Sequence, residues 1–109
     1  MGKKVVQGGV IVGNLLFTSG MTGQPGDVET QIRNTLSKLK AVLTSAGTSF
    51  ENVVKATVYL TDIADRERYL NKVWAETFPR DPPARTTVQV GLGPGTFVEI
   101  EMVAVIPEK

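Results

Sequence analysis

An α+β fold with its elements in the order β-β-β-α-β-α-β-β is what this chain of 109 residues predicts. Three observations carry that expectation. Two stretches, Asp27 to Gly47 and Asp62 to Thr77, space their apolar residues as amphipathic helices do. Short runs rich in Val, Ile, Phe and Thr lie before, between and after them, bounded by glycine and proline. The last run, Phe97 to Ile106, is apolar on both of its faces, as a strand is when both sides of its sheet are covered.

The elements follow in order. Val5-Val6-Gln7 and Val10-Ile11-Val12 flank Gly8-Gly9, a two-residue hairpin signal. Gly13-Asn14 makes a second turn, and Leu15 to Ser19 is a third strand. Gly20 to Gly26, with three glycines and Pro25, reads as a loop. Asp27 is a good N-cap, and Val28, Ile32, Leu36, Leu39, Leu43 and Ala46 then trace one helix face until Gly47 ends it. Asn52 to Thr61 alternates, with Val54, Ala56, Val58 and Leu60 on one side and Lys55, Thr57 and Tyr59 on the other. Asp62 or Asp65 caps a second helix that runs to about Thr77, with Tyr69, Val73 and Trp74 inward.

Pro79, Pro82 and Pro83 exclude helix and central strand beyond it. Thr86 to Val90 is a strand, Gly91 to Gly95 a turn, and Phe97 to Ile106 the longest strand. On that strand Val98, Ile100, Met102, Ala104 and Ile106 share one face, and Val103 and Val105 the other. Two helices cover one face of a mixed sheet of this size. The second cover is expected from another subunit.

Composition bounds the chemistry. The length suits one domain over residues 1–109. A net charge of +1 without a basic run gives no electrostatic footprint for nucleic acid. No apolar run is long enough to cross a bilayer, and Met1 to Lys4 lack the apolar stretch of a signal peptide, so a cytoplasmic protein is expected. With no cysteine and no histidine there is no thiolate nucleophile, no zinc ribbon and no imidazole base. No carboxylate cluster argues for a metal site. Any catalysis falls to carboxylates, arginine, lysine, hydroxyls, backbone groups or water.

Two places put charge where it is conspicuous. Arg85 follows Pro82-Pro83-Ala84 at the start of a strand. It is either a surface arginine or a planar fork that grips a carboxylate through two parallel hydrogen bonds. Glu99 and Glu101 share one face of the last strand, about 7 Å apart by strand rise. They are either solvated or set to handle a proton.

Several segments carry a likeness: Val6-Gln7-Gly8, Thr18-Ser19-Gly20, Asn34 to Gly47, Val53 to Leu60, Pro83-Ala84-Arg85-Thr86 and Val98-Glu99-Ile100-Glu101-Met102. In this order they resemble the RidA/YjgF family of reactive-intermediate deaminases. The resemblance implies a chorismate-mutase-like subunit in a homotrimer, with a central barrel and clefts between subunits. It implies hydrolysis of 2-aminoacrylate and related 2-imino acids to 2-keto acids and ammonia, without cofactor. It assigns the carboxylate clamp to Arg85 and the water-orienting carboxylate to Glu99. Glu101 then supports the site or meets a neighbouring subunit, although the two glutamates are not told apart by pattern.

The resemblance also adds Ser19 and Gly20 as pocket lining, the Thr87 backbone as a binder of nitrogen or water, and Asn71, which one extra residue precedes. Two departures alter the cleft wall: Val5 stands where relatives carry tyrosine, and Met21 where glutamine is common. Two rival functions follow. One is a non-catalytic trimer that binds a carboxylate metabolite, or a chaperone-like one. The other is an endoribonuclease or translation inhibitor, which the lack of histidine and of a basic groove disfavours.

Overall fold

The computed structural model describes residues 2–108, so Met1 and the reading of the amino end that includes it lie outside the described residues. The strands are β1 (Lys3–Val6), β2 (Gly9–Val12), β3 (Leu15–Thr18), β4 (Met21–Thr22), β5 (Val53–Leu60), β6 (Ala84–Gln89) and β7 (Val98–Val105). The helices are α1 (Val28–Ser45) and α2 (Asn71–Thr77). A 3₁₀ turn at Phe50–Asn52 leads into β5, and a π-helical turn at Arg66–Leu70 leads into α2.

The strands form one mixed sheet in the order β1-β2-β3-β7-β5-β6, with β4 also paired to β7. Only β5 and β6 run parallel, joined by the crossover that contains α2. The long apolar strand β7 sits in the middle of the sheet, as its two-faced pattern requires.

Both helices pack on one face of this sheet. Leu16, Ala56, Val58, Leu60, Val98, Ile100, Met102 and Ala104 meet Ile32, Leu36, Leu39, Leu43, Leu70, Val73 and Trp74 in one buried cluster. Asp27 caps α1 by accepting the Thr30 N–H at 2.9 Å. That hydrogen bond holds the Asp27 carboxyl below its ordinary range. Gly47, at φ +86, turns the chain out of the helix as expected.

Four details differ from the sequence expectations. In the first hairpin Gly9 belongs to β2 and pairs with Val6, and Gly8 takes the turn at φ +86. In β5 a bulge between Val53 and Lys55 buries Val53 and turns Val54 out, so Val54 leaves the face of Ala56. The Gly20–Gly26 loop contains β4, which continues the line of β3 along β7 after a two-residue break. The second helix opens with a π turn, in which the Asn71 N–H bonds back to Arg66 O. Beyond this turn Val73 and Trp74 are buried in the core, while Asn71 is exposed.

A latch went unseen in the apolar pattern because it is polar. Gln31, fully buried in α1, donates to Gly26 O at 2.8 Å and Gly95 O at 2.9 Å, and accepts the Phe97 N–H at 2.9 Å. It ties the two glycine-rich loops to the start of β7. Burying this amide is tolerable because both of its ends are satisfied.

The other face of the sheet is open in the single chain. Val5, Val10, Val12, Leu15, Phe17, Val103 and Val105 make its apolar half, with Val5 72% and Phe17 42% exposed. Glu99, Glu101, Tyr59, Thr57, Lys55 and Thr86 make its polar half.

Candidate functional site

Arg85 lies in the edge strand β6 beside Ala56, so its side chain leaves the sheet on the helix side. Its Nη2 donates to Asn71 Oδ1 at 2.7 Å, and its guanidinium carbon stands 5.2 Å from the centre of the Trp74 ring. Arg33, Arg66 and Arg68 each pair with carboxylates. Arg85 makes no ion pair among the described residues, although it is half-buried. Burial depresses its pKa, and nearby Arg66 depresses it further, while Glu67 opposes both. A half-buried guanidinium without a counter-ion suits an anion that comes from outside.

Thr87 extends this half of the site. Its side chain shares the Arg85 side of β6, and its Oγ1 is buried without a partner among the described residues. The Val90 N–H donates to Leu60 O, so the alternation of the ladder turns the Thr87 N–H to the free edge of the sheet. An outward backbone donor sits two residues from the arginine.

Glu99 belongs to the opposite face. It stands between Tyr59 of β5 and Thr22 of β4 on the central strand. The break at Ser19-Gly20 lets its carboxylate lie directly over Gly20, where any Cβ would overlap Glu99 Oε2. Across the same break the Thr18 hydroxyl accepts the Met102 N–H at 2.9 Å, replacing a ladder bond. Ser19 is exposed, and its N–H donates to Gly8 O at 2.8 Å. Glu101 has a partner, since the Tyr59 phenol donates to its Oε1 at 2.6 Å. Glu99 has no such partner among the described side chains. That contrast separates the two glutamates, which the pattern left equivalent.

The structure thus brings Arg85, Asn71 and Thr87 together on the helix side, and Glu99, Ser19 and Gly20 on the open side. It does not bring the two sets together within one chain. Two concavities of the single chain hold neither charge. One of about 680 Å³ lies between the ends of the helices, lined by Phe50, Phe78, Lys40 and Arg80. Another of about 330 Å³ lies between the first hairpin and α1, beside Gly8, Met21 and Val42. Val5 sits far out on the open face, so no hydroxyl is offered from that position. In the sequence Trp74 marks only an inward helix position, and no signal there ties it to Arg85. No group of three or more Asp or Glu among the described residues is arranged to hold a metal ion. No helix among them is long and apolar enough to cross a membrane.

The chain and its α+β fold have counterparts among known proteins. A family model described as Endoribonuclease L-PSP matches residues 3–106. The chain belongs to this family, which is the RidA/YjgF family. Protein DfrA of Myxococcus xanthus is 41% identical over 105 residues, covering 88% of this chain and 79% of that protein. TdcF of Escherichia coli K12, provisionally described as a reactive intermediate deaminase, is 37% identical over 108 residues, covering 89% of this chain and 83% of its own. The crystal structure of RidA from the Antarctic bacterium Psychrobacter sp. PAMC 21119 superposes with a TM-score of 0.86 at 34% identity, covering 91% of this chain and 86% of that one.

Proposed function

We propose that this protein hydrolyses reactive enamines and imines, 2-aminoacrylate and related 2-imino acids, to 2-keto acids and ammonia. The observation that carries the reading is Arg85, half-buried, braced by Asn71 and Trp74, and without a carboxylate of its own. It is chemically suited to the carboxylate of an imino acid. TdcF, the relative described as a reactive intermediate deaminase, supports the same class.

The reading needs a second copy of the chain. A cleft between neighbouring subunits of a homotrimer would set Arg85, Asn71 and Thr87 of one chain opposite Glu99, Ser19 and Gly20 of the next. The uncovered apolar half of the sheet supports such an assembly, since exposed apolar surface of this kind marks a protein interface.

In that cleft Arg85 holds the substrate carboxylate. The outward Thr87 N–H binds the nitrogen or the water. An enamine first tautomerises to the imine; Glu99 then accepts a proton from the water as it adds to the imine carbon and returns it to the nitrogen, giving a carbinolamine. The hydroxyl proton then passes to the nitrogen as the carbon–nitrogen bond breaks, so that ammonia leaves and the carbonyl forms. Positioning supplies much of the rate, because well-oriented groups gain up to about 7–11 kcal/mol from entropy already spent. No cofactor enters this chemistry.

The test is incubation with enzymatically generated 2-aminoacrylate or iminoleucine, following ammonia release and keto-acid formation. Faster release than in buffer alone is expected, with loss in Arg85→Ala. Unchanged kcat/KM in that variant rejects the clamp. Saturable binding of a keto acid without turnover would favour the non-catalytic trimer, for which the missing hydroxyl at Val5 is the one supporting feature. Salt-sensitive binding and cleavage of RNA would favour the ribonuclease that the family description names.

A further inference from the structure

Hydrogen bonding alone does not hold the proposed clamp. The Arg85 guanidinium lies 5.2 Å from the Trp74 ring centre, inside the roughly 6 Å over which a cation is drawn to an aromatic face. Trp74 is only 6% exposed, and its neighbours pin it. Phe78 packs against it at 4.8 Å and 45°, and Phe50 closes on Phe78 edge-on at 5.3 Å. Asn71 and Trp74 stand three residues apart, on one face of the chain's helical turn. A single helical turn therefore provides both an acceptor for one N–H and an aromatic ring beside the guanidinium carbon.

The geometry matters because a guanidinium recognises a carboxylate in its own plane. The Trp74 ring centre lies 5.2 Å from the guanidinium carbon. Asn71 Oδ1 takes one in-plane hydrogen at 2.7 Å. The guanidinium makes no other hydrogen bond among the described residues, which leaves its remaining N–H groups for a carboxylate. A free arginine side chain would have to lose rotamer freedom when it binds. Here that freedom is already lost to packing.

We propose that Trp74 is a positioning residue that fixes the plane of the Arg85 guanidinium, so that a carboxylate captured by Arg85 is sensed directly by the indole. The inference rests on the carboxylate-clamp reading, and the experiment separates the two. Trp74 is the only tryptophan in the chain, so its emission reports on this contact alone.

The intact protein is titrated with pyruvate, and tryptophan emission and equilibrium dialysis are followed in parallel. Emission should change saturably, with the Kd found by dialysis, and should not change in Arg85→Gln. Trp74→Phe keeps an aromatic face and should hold the dialysis Kd within about threefold, whereas Trp74→Leu should weaken it about tenfold. For imine hydrolysis, Trp74→Leu should raise KM by the same factor and leave kcat at saturation unchanged. Pyruvate binding without an emission change, or a wild-type Kd in Trp74→Leu, overturns the role of Trp74 and leaves the clamp standing. A wild-type protein that binds no pyruvate overturns both. Where Trp74→Leu does not fold, the emission titration of wild type against Arg85→Gln decides alone.

Discussion

The arginine half and the glutamate half of the proposed site lie on opposite faces of one sheet and are built by opposite means. Arg85 sits on an edge strand and takes its order from a neighbouring helix, through Asn71 and Trp74. Glu99 sits on the central strand and takes its order from an interruption, where β3 gives way to β4 and a glycine makes room for the carboxylate. The edge contributes free backbone donors, such as the Thr87 N–H, which a central strand cannot offer. The centre contributes a carboxylate held by strands on both sides.

The sharpest way to break this comparison is to inactivate the halves separately. Glu99→Gln should lower kcat about 10²–10⁴-fold, the range for loss of a general base, and Arg85→Ala should abolish turnover of small imino acids. Neither should change the thermal midpoint much, since both side chains lie outside the apolar core. Co-refolding the two inactive variants should return part of the activity in a keto-acid assay. A cleft in a mixed assembly can draw its arginine and its glutamate from the two intact halves. No recovery would mean that one chain supplies both charges.

Next in size is Gly20→Ala. Gly20 does not have a positive φ, so alanine strains nothing in the backbone there. Its methyl group would meet the Glu99 carboxylate and push it aside. A displacement of about 1 Å can cost about 10²-fold in rate. The expected result is a loss in kcat without a loss in the melting midpoint. Wild-type kcat would show that the close approach of Gly20 to Glu99 serves only packing. Asn71→Ala should act on the other half and more weakly. It removes a hydrogen bond to a charged group, so KM should rise about tenfold while kcat holds. Equal changes in KM and kcat would place Asn71 in the chemical step.

The fold was legible because its signals repeat. Helix α1 declares itself from Asp27 to Gly47 by spacing and caps, and β7 by an apolar run that needs cover on both sides. Single-residue irregularities left no such trace. The bulge that turns Val54 out, the two-residue β4 and the π turn before α2 each depend on how neighbouring strands and helices meet. A polar residue at a core position, as Gln31 is, breaks the very pattern used to find the core. The site divides in the same way. Arg85 and Glu99 stood out as charges beside prolines and on an apolar strand. Their distribution over two faces follows from the register of β6 against β5 and β7 against β5, which no local pattern encodes.

The smallest expected effect bears on which glutamate works. Tyr59 stands directly opposite Glu99 in the register, yet its phenol reaches diagonally to Glu101. That hydrogen bond, then partial burial and the charges of Glu101 and Glu99, raise the Tyr59 pKa above its ordinary 10.0. For an acid whose folded pKa is raised, the folded state prefers the protonated form. The stability this contributes is therefore complete below about pH 10 and is lost as pH rises through the folded value. Phenolate absorbance should accordingly resolve one tyrosine that titrates late, and Glu101→Gln should bring it back toward the ordinary value. Tyr59→Phe should remove that transition and lower kcat by less than about threefold, since the bond it removes belongs to Glu101 and Glu99 keeps its place over Gly20. A loss in Tyr59→Phe as large as that in Glu99→Gln would move the proton-accepting role to Glu101. Glu99 would then be the supporting residue, and the broken ladder at Ser19-Gly20 would lose its catalytic meaning.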